Sequence, residues 1–116
     1  MDKPNMFCIV GIRHNPQLGS YLSKVKIAEK IRMNKCSISA TFTDFGEHTT
    51  LSFSQTAAID GVHYCKTKHN CIYGGYTYIG FSDKDKAIAE LNKWVNKNGS
   101  SAERAKAGIE QLKAIN

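Results

Sequence analysis

Residues 36–43 constrain the fold more than any other part of this 116-residue chain. The segment reads Cys-Ser-Ile-Ser-Ala-Thr-Phe-Thr, so apolar and hydroxyl-bearing residues alternate without interruption. Successive side chains of a β-strand point to opposite faces of a sheet, so this alternation is typical of a half-buried strand. The segment predicts an antiparallel sheet with one apolar face and one face of Ser and Thr. Residues 49–54 repeat the pattern, with Leu51 and Phe53 predicted to point inward.

Residues 21–33 fit the same sheet as a further strand, although their Ala, Glu and Lys content also suits a helix. A helix would spread the apolar residues around its circumference, whereas a strand places most of them on one face. The other face of that strand would carry four cations: Lys24, Lys26, Lys30 and Arg32. If Asn34-Lys35 forms a two-residue turn, Ile31 lies opposite Ile38. We favour the strand and keep the helix as the alternative.

The remaining segments predict a single α+β domain over residues 1–116. Short apolar or alternating runs predict strands at residues 6–12, 62–65, 71–73 and 76–81. Two helical patterns follow, beginning with the capping-box pairs Ser82/Asp85 and Ser100/Glu103. We expect residues 6–81 to form a mostly antiparallel β-meander, and residues 82–116 to form two α-helices packed on one face of it.

The formal net charge of +6 is concentrated near the N-terminus. Residues 1–35 carry seven basic and two acidic side chains, whereas residues 36–81 carry two basic and three acidic ones. Most of the basic residues are Lys, which is a point charge without the planar fork of Arg. A nucleic-acid partner would therefore be held mainly through its backbone phosphates.

The predicted strand pairing gives this charge a location beside a row of hydroxyls. Alternate strand residues lie ~6.6 Å apart, close to the spacing of phosphates along a nucleic-acid strand. Cations attract phosphates through counterion release, and hydroxyls donate to phosphate or sugar oxygens. The predicted polyanion-binding residues are Lys24, Lys26, Lys30, Arg32, Lys35, Ser37, Ser39 and Thr41. The alternative is an ordinary solvated sheet face, which has the same composition.

Two further groups of residues suggest binding chemistry. Tyr76 and Tyr78 share one strand face, where exposed aromatic rings beside lysines would stack the bases of a single strand; the alternative is that these rings pack in the core against the helices. A second group has the residue types of a Cys2His2 zinc site: His63, Cys65, His69 and Cys71. Its spacing matches no familiar zinc motif, so reduced thiols and a Cys65–Cys71 disulfide are the alternatives to zinc, and no other cofactor is predicted.

The functional prediction is a small non-enzymatic module that binds a polyanion, either the backbone of a nucleic acid or a nucleotide-like ligand. One alternative is a small inhibitor of the phage or mobile-element type that docks on a host protein through the same lysines. A second is a small basic nuclease with a His general base. The longest apolar run, Met6–Ile12, is far shorter than the ~20 residues of a membrane span. We expect a cytoplasmic protein with no membrane partner, and homo-oligomers are compatible with the sequence.

Overall fold

The computed structural model describes residues 4–65, 70–71, 74–97 and 99–115, which form eight strands followed by two helices. The strands are β1 (Cys8–Asn15), β2 (Gly19–Ile27), β3 (Lys30–Met33), β4 (Ser37–Asp44), β5 (Glu47–Ile59), β6 (Val62–Cys65), β7 (Asn70–Cys71) and β8 (Gly74–Phe81). The helices are α1 (Lys84–Val95) and α2 (Ser100–Lys113). The predicted α+β class, with an antiparallel sheet followed by two C-terminal helices, is confirmed.

All strand pairs described in the sheet are antiparallel, in the order β2-β1-β8-β6-β5-β4-β3, with β7 paired to β8. Strands β3 to β6 follow one another as a meander, while β1 lies between β2 and β8. The sheet curls because its two edge strands, β2 and β3, are consecutive in the chain. Between them, the Ala28 amide donates to the Phe7 carbonyl at 2.8 Å, and the Glu29 amide donates to the Thr41 carbonyl at 2.8 Å. These two bonds link the opposite ends of the sheet.

Residues 21–33 are extended and not helical, but the predicted turn and register are wrong. The strand is interrupted at Ala28-Glu29, which separates β2 from β3. In the following hairpin, Ile31 lies opposite Ala40, two residues further along β4 than predicted. The side chain of Asn34 causes the shift, because its Oδ1 accepts hydrogen bonds from the backbone amides of Cys36 and Ser37, both at 2.8 Å. Asn is favoured at the first position of such a turn, so the turn residues are Lys35-Cys36.

Two apolar clusters hold the domain together, one on each side of β1. The inner face of the curled sheet is filled by Phe7, Ile9, Ile38, Ala40, Phe42, Leu51 and Phe53, all of them buried. The opposite side of β1 packs Cys8 and Val10 against the helices, whose buried residues include Leu91 and Leu112. The inward positions predicted for Ile38, Ala40, Phe42, Leu51 and Phe53 are therefore confirmed. Cys36, which the alternation also places inward, is instead exposed in the β3–β4 turn.

Both helices begin differently from the predicted capping boxes. The N-cap of α1 is Asp83 and not Ser82, and its carboxylate accepts from the Lys86 amide at 3.1 Å. The N-cap of α2 is Gly99, which has no side chain, while Ser100 is the first helical residue. No helix among the described residues is long and apolar enough to cross a membrane.

Candidate functional site

The break at Ala28-Glu29 divides the four predicted cations between two faces of the sheet. In β2, Lys24 and Lys26 alternate with Val25 and Ile27, and these two apolar residues pack on the helix side. In β3, the apolar residues instead pack on the inner cluster, so Lys30 and Arg32 point outward. The prediction that all four cations share one face is wrong, because the chain changes face where it leaves one end of the sheet and joins the other.

The outward side of β3, β4 and β5 forms a first surface, which we name the basic–hydroxyl face. Its members, in two rows across the strands, are Lys30, Thr41 and Thr50, then Arg32 and Ser39. The Oγ1 atoms of Thr41 and Thr50 are 2.8 Å apart, so these two hydroxyls are hydrogen-bonded across the strands. The same five residues line a shallow depression of about 390 Å³ with Met33 and Asn34.

The two cations of the basic–hydroxyl face are exposed, and neither forms an ion pair with a residue in the described ranges. Lys35 lies beside them in the β3–β4 turn and is exposed as well. Ser37, by contrast, is 9% exposed, and its hydroxyl donates to Asn34 Oδ1 at 3.2 Å. Four of the predicted positions, Lys30, Arg32, Ser39 and Thr41, therefore lie together, and Ser37 lies beside them but is covered.

One carboxylate borders the basic–hydroxyl face. Glu29 accepts a hydrogen bond from the Thr43 hydroxyl at 2.7 Å, and its other oxygen lies 3.7 Å from Nδ1 of His48. Both Glu29 and His48 are largely exposed, with side-chain exposures of 51% and 75%. At the Thr43 end of β4, the positive charge of the basic–hydroxyl face is therefore opposed by the carboxylate of Glu29.

Lys24 and Lys26 belong to a second surface, a cleft of about 490 Å³ between β2, the β4–β5 turn and α2. We name it the tyrosine cleft, and its lining includes Arg13, Lys24, Lys26, Asp44, Phe45, Tyr76 and Arg104. The Nζ atom of Lys24 lies 2.7 Å from a carboxylate oxygen of Asp44, and that of Lys26 lies 3.7 Å from the other oxygen. Asp44 thus opposes much of the charge of both lysines.

The electrostatics of the tyrosine cleft follow from this pairing. Burial is the largest single effect on Lys24 and disfavours its charged form, but the hydrogen bond to Asp44 and the charges of Asp44 and the two tyrosines together outweigh it and raise the pKa of Lys24. The hydrogen bond to Lys24 lowers the pKa of Asp44 despite partial burial. Both groups are therefore charged near neutral pH, and the pair fixes the β4–β5 turn against β2.

Tyr76 and Tyr78 share a face of β8, as predicted, but their rings stack on each other and are half-buried. The ring centroids are 5.7 Å apart with an interplanar angle of 7°. The Arg13 guanidinium carbon lies 5.3 Å from the Tyr76 ring centroid, and its Nη1 donates to the Tyr76 hydroxyl at 3.1 Å. Lys24 Nζ lies 5.7 Å from the same centroid, within cation–π distance. Burial raises the pKa of Tyr78. Base stacking on these two tyrosines remains a prediction.

The candidate zinc ligands are described only in part. His63 and Cys65 lie on the same face of β6, as predicted, whereas His69 and the Cys71 side chain are outside the described residues. Among the residues described, no group of three or more His, Cys, Asp or Glu side chains could hold a metal ion. His63 is 5% exposed, and its Nε2 lies 3.0 Å from the Ser82 hydroxyl. The zinc site and the Cys65–Cys71 disulfide therefore stay predictions.

The burial of His63 predicts a loss of stability in mild acid. Burial lowers the pKa of His63 below its usual range near 6.5. As the pH falls below that range, the unfolded chain binds a proton that the folded chain does not, so the free energy of unfolding decreases. We expect the free energy of unfolding, measured in urea, to fall less between pH 7.5 and pH 5.5 for His63→Gln than for the wild-type protein. An equal difference in the two proteins would contradict this assignment.

Comparison of the chain with protein-family models, curated proteins and solved structures finds no match. The functional reading therefore depends on the two surfaces themselves. Sequence reasoning missed Asp44 and Phe45 as members of the tyrosine cleft. Both stand at the β4–β5 turn, and only the curl of the sheet brings this turn to β2.

Proposed function

We propose that this protein is a non-enzymatic module that binds single-stranded nucleic acid through its phosphates, with the basic–hydroxyl face as the contact surface. The observation that carries the proposal is the difference in ion pairing between the two pairs of cations. Lys24 and Lys26 are opposed by Asp44, whereas Lys30 and Arg32 are exposed beside Ser39, Thr41 and Thr50 without an ion-pair partner in the described part of the chain.

The geometry suits a backbone more than a base sequence. Lys30 and Arg32 are two residues apart on one strand, which separates their backbones by ~6.6 Å. Hydroxyls lie directly across the strands from each cation, so one phosphate can meet a positive charge and a hydrogen-bond donor together. The depression is shallow and its lining is largely polar, so it offers little specificity for a particular base.

The salt dependence of binding tests this proposal. Fluorescence anisotropy of a labelled single-stranded oligonucleotide should show binding at low salt, with the logarithm of the association constant falling linearly as the logarithm of salt rises. For two to three phosphate contacts on a single strand, the slope should be about −1.4 to −2. The oligonucleotide should be recovered intact, since the proposal includes no cleavage.

Two outcomes would overturn the proposal. One is the absence of binding to any DNA or RNA at low salt, which would favour a protein partner in its place. The other is binding that does not change with salt. Competition by heparin, which has anionic groups but no bases, separates general polyanion binding from a preference for nucleic acid.

A further inference from the structure

Phe45 is an unusual residue for the position it holds. It forms the two-residue β4–β5 turn with Gly46, and the φ angles of the two residues are 51° and 80°. Positive φ at both positions is the conformation of a type I′ turn, which favours Asn, Asp or Gly at the first position. A bulky side chain is strained in the left-handed region. The Phe45 side chain is nevertheless 98% exposed, so it gains no burial in return.

The β5–β6 hairpin shows the same turn with the expected residues. Asp60 and Gly61 have φ angles of 48° and 81° between the paired residues Ile59 and Val62. In this second turn, a short polar residue, Asp60, holds the first position, as the type I′ conformation favours. Neither turn geometry nor core packing accounts for an aromatic ring at Phe45.

The surroundings of Phe45 indicate an anionic ligand. It lines the tyrosine cleft, where four cations (Arg13, Lys24, Lys26 and Arg104) face the single carboxylate of Asp44, so the cleft keeps a net positive charge although Asp44 pairs with the two lysines. The edge of β2 in this cleft is partly occupied already. The Leu22 amide donates to Ser101 Oγ at 3.1 Å, and its carbonyl accepts from Arg104 Nη1 at 3.1 Å. These bonds cap part of the strand edge and disfavour the addition of a peptide as a further strand.

The position of Phe45 also links the two surfaces. Ser39, Thr41 and Thr43 lie on one face of β4 at alternate positions, and Phe45 lies in the turn just beyond the end of the strand. At ~6.6 Å per step, these three positions cover about 13 Å. A single strand that continues past Thr43 would next meet the β4–β5 turn, which carries the exposed ring of Phe45.

We propose that Phe45 stacks an unpaired base of the bound strand, with the adjacent phosphate held by the cations of the tyrosine cleft. This inference rests on the proposed function and adds to its phosphate contacts a direct contact with a base. Stacking suits every base, because each has a π-face, so it gives affinity without strong sequence preference.

Four proteins and two ligands test the inference. The proteins are the wild type, Phe45→Ala, Phe45→Asn and the control Ile59→Ala, which removes another exposed apolar side chain next to a hairpin turn. The ligands are an oligothymidylate and an abasic oligonucleotide of equal length. Both Phe45 variants should bind oligothymidylate about 5- to 100-fold more weakly than the wild type. All four proteins should bind the abasic strand alike, and Phe45→Asn should melt no lower than the wild type, because Asn suits the turn.

The outcomes separate this inference from the proposed function. If the wild type binds both ligands equally, or if Phe45→Ala binds oligothymidylate as the wild type does, base stacking is overturned while phosphate binding stands. If the wild type binds neither ligand at low salt, both proposals fail. An equal loss of binding in Ile59→Ala would also overturn the assignment, since the effect would then not belong to Phe45.

Discussion

Replacing Lys30 and Arg32 together by Glu should weaken the binding of a single-stranded oligonucleotide about 100-fold at low salt. The estimate assigns about 1.4 kcal/mol to each reversed charge, which is a factor of ten in the binding constant. Both side chains are exposed, so the substitutions should leave the fold intact. The variant should also show a flatter salt dependence, because fewer counterions are released on binding.

A matched control separates the position of the charge from its amount. Lys86→Glu/Lys106→Glu changes the net charge by the same amount on the two helices, where both residues are exposed. At Lys86 the new carboxylate lies in the first turn of α1, a favourable place for negative charge. This control should lose much less affinity than the Lys30/Arg32 variant. Equal losses would mean that overall charge, and not the basic–hydroxyl face, drives binding.

Removing one aromatic ring from the inner cluster should have the largest effect on stability. Phe7 and Phe53 are fully buried, with ring centroids 5.1 Å apart in an edge-to-face arrangement. Phe53→Ala should lower the free energy of unfolding by about 3–5 kcal/mol, through lost burial and the cavity left behind. The melting temperature should fall by roughly 10–20 °C for a domain of this size.

Phe45→Ala is the matched control for that substitution, because it removes the same side chain where it is 98% exposed. Its free energy of unfolding should change by no more than about 0.5 kcal/mol. Calorimetry or urea unfolding of the two variants makes the comparison. Similar losses in both would contradict the division of aromatic residues between core and surface. Close packing at the same cluster explains Gly80, since a Cβ there would overlap the Phe7 ring.

The alternating strands could be predicted from the sequence because one face of each is buried. In β4, the inward residues Ile38, Ala40 and Phe42 are between 0% and 2% exposed. Because the side chains of a strand alternate between the two faces of the sheet, only one orientation of β4 buries all three residues. The register of the β3–β4 hairpin was harder to predict, because a shift of two residues keeps every side chain on its face. The Asn34 side chain decides between the two registers.

The division of the cations between two faces depends on a break that the sequence marks only faintly. In an uninterrupted strand over residues 21–33, Ala28 falls on the basic face and Glu29 on the apolar face. These two exceptions stand where β2 ends and β3 has not begun. The pattern alone cannot show that the two strands join opposite ends of one sheet, because β1 joins the rest of the sheet through β8, which is distant in sequence.

Of the two type I′ turns, one could be predicted from residue preferences and the other could not. Asp60-Gly61 is a strong hairpin signal in the sequence, and in the structure it joins β5, which extends to Ile59, to β6. Phe45-Gly46 carries no such signal at its first position, so its geometry could not be predicted from residue preferences. The tyrosine cleft was missed for the same reason, since it exists only where that turn meets β2.

Mapping a bound oligonucleotide by NMR is the most direct test of the central claim, that the basic–hydroxyl face is the contact surface. Titration of the ¹⁵N-labelled protein with a short single-stranded oligonucleotide at low salt should shift the amide signals of Lys30, Arg32, Ser39, Thr41 and Thr50. Those of α1 should stay in place. Shifts concentrated on α1, or no shifts while the oligonucleotide is in excess, would contradict the claim.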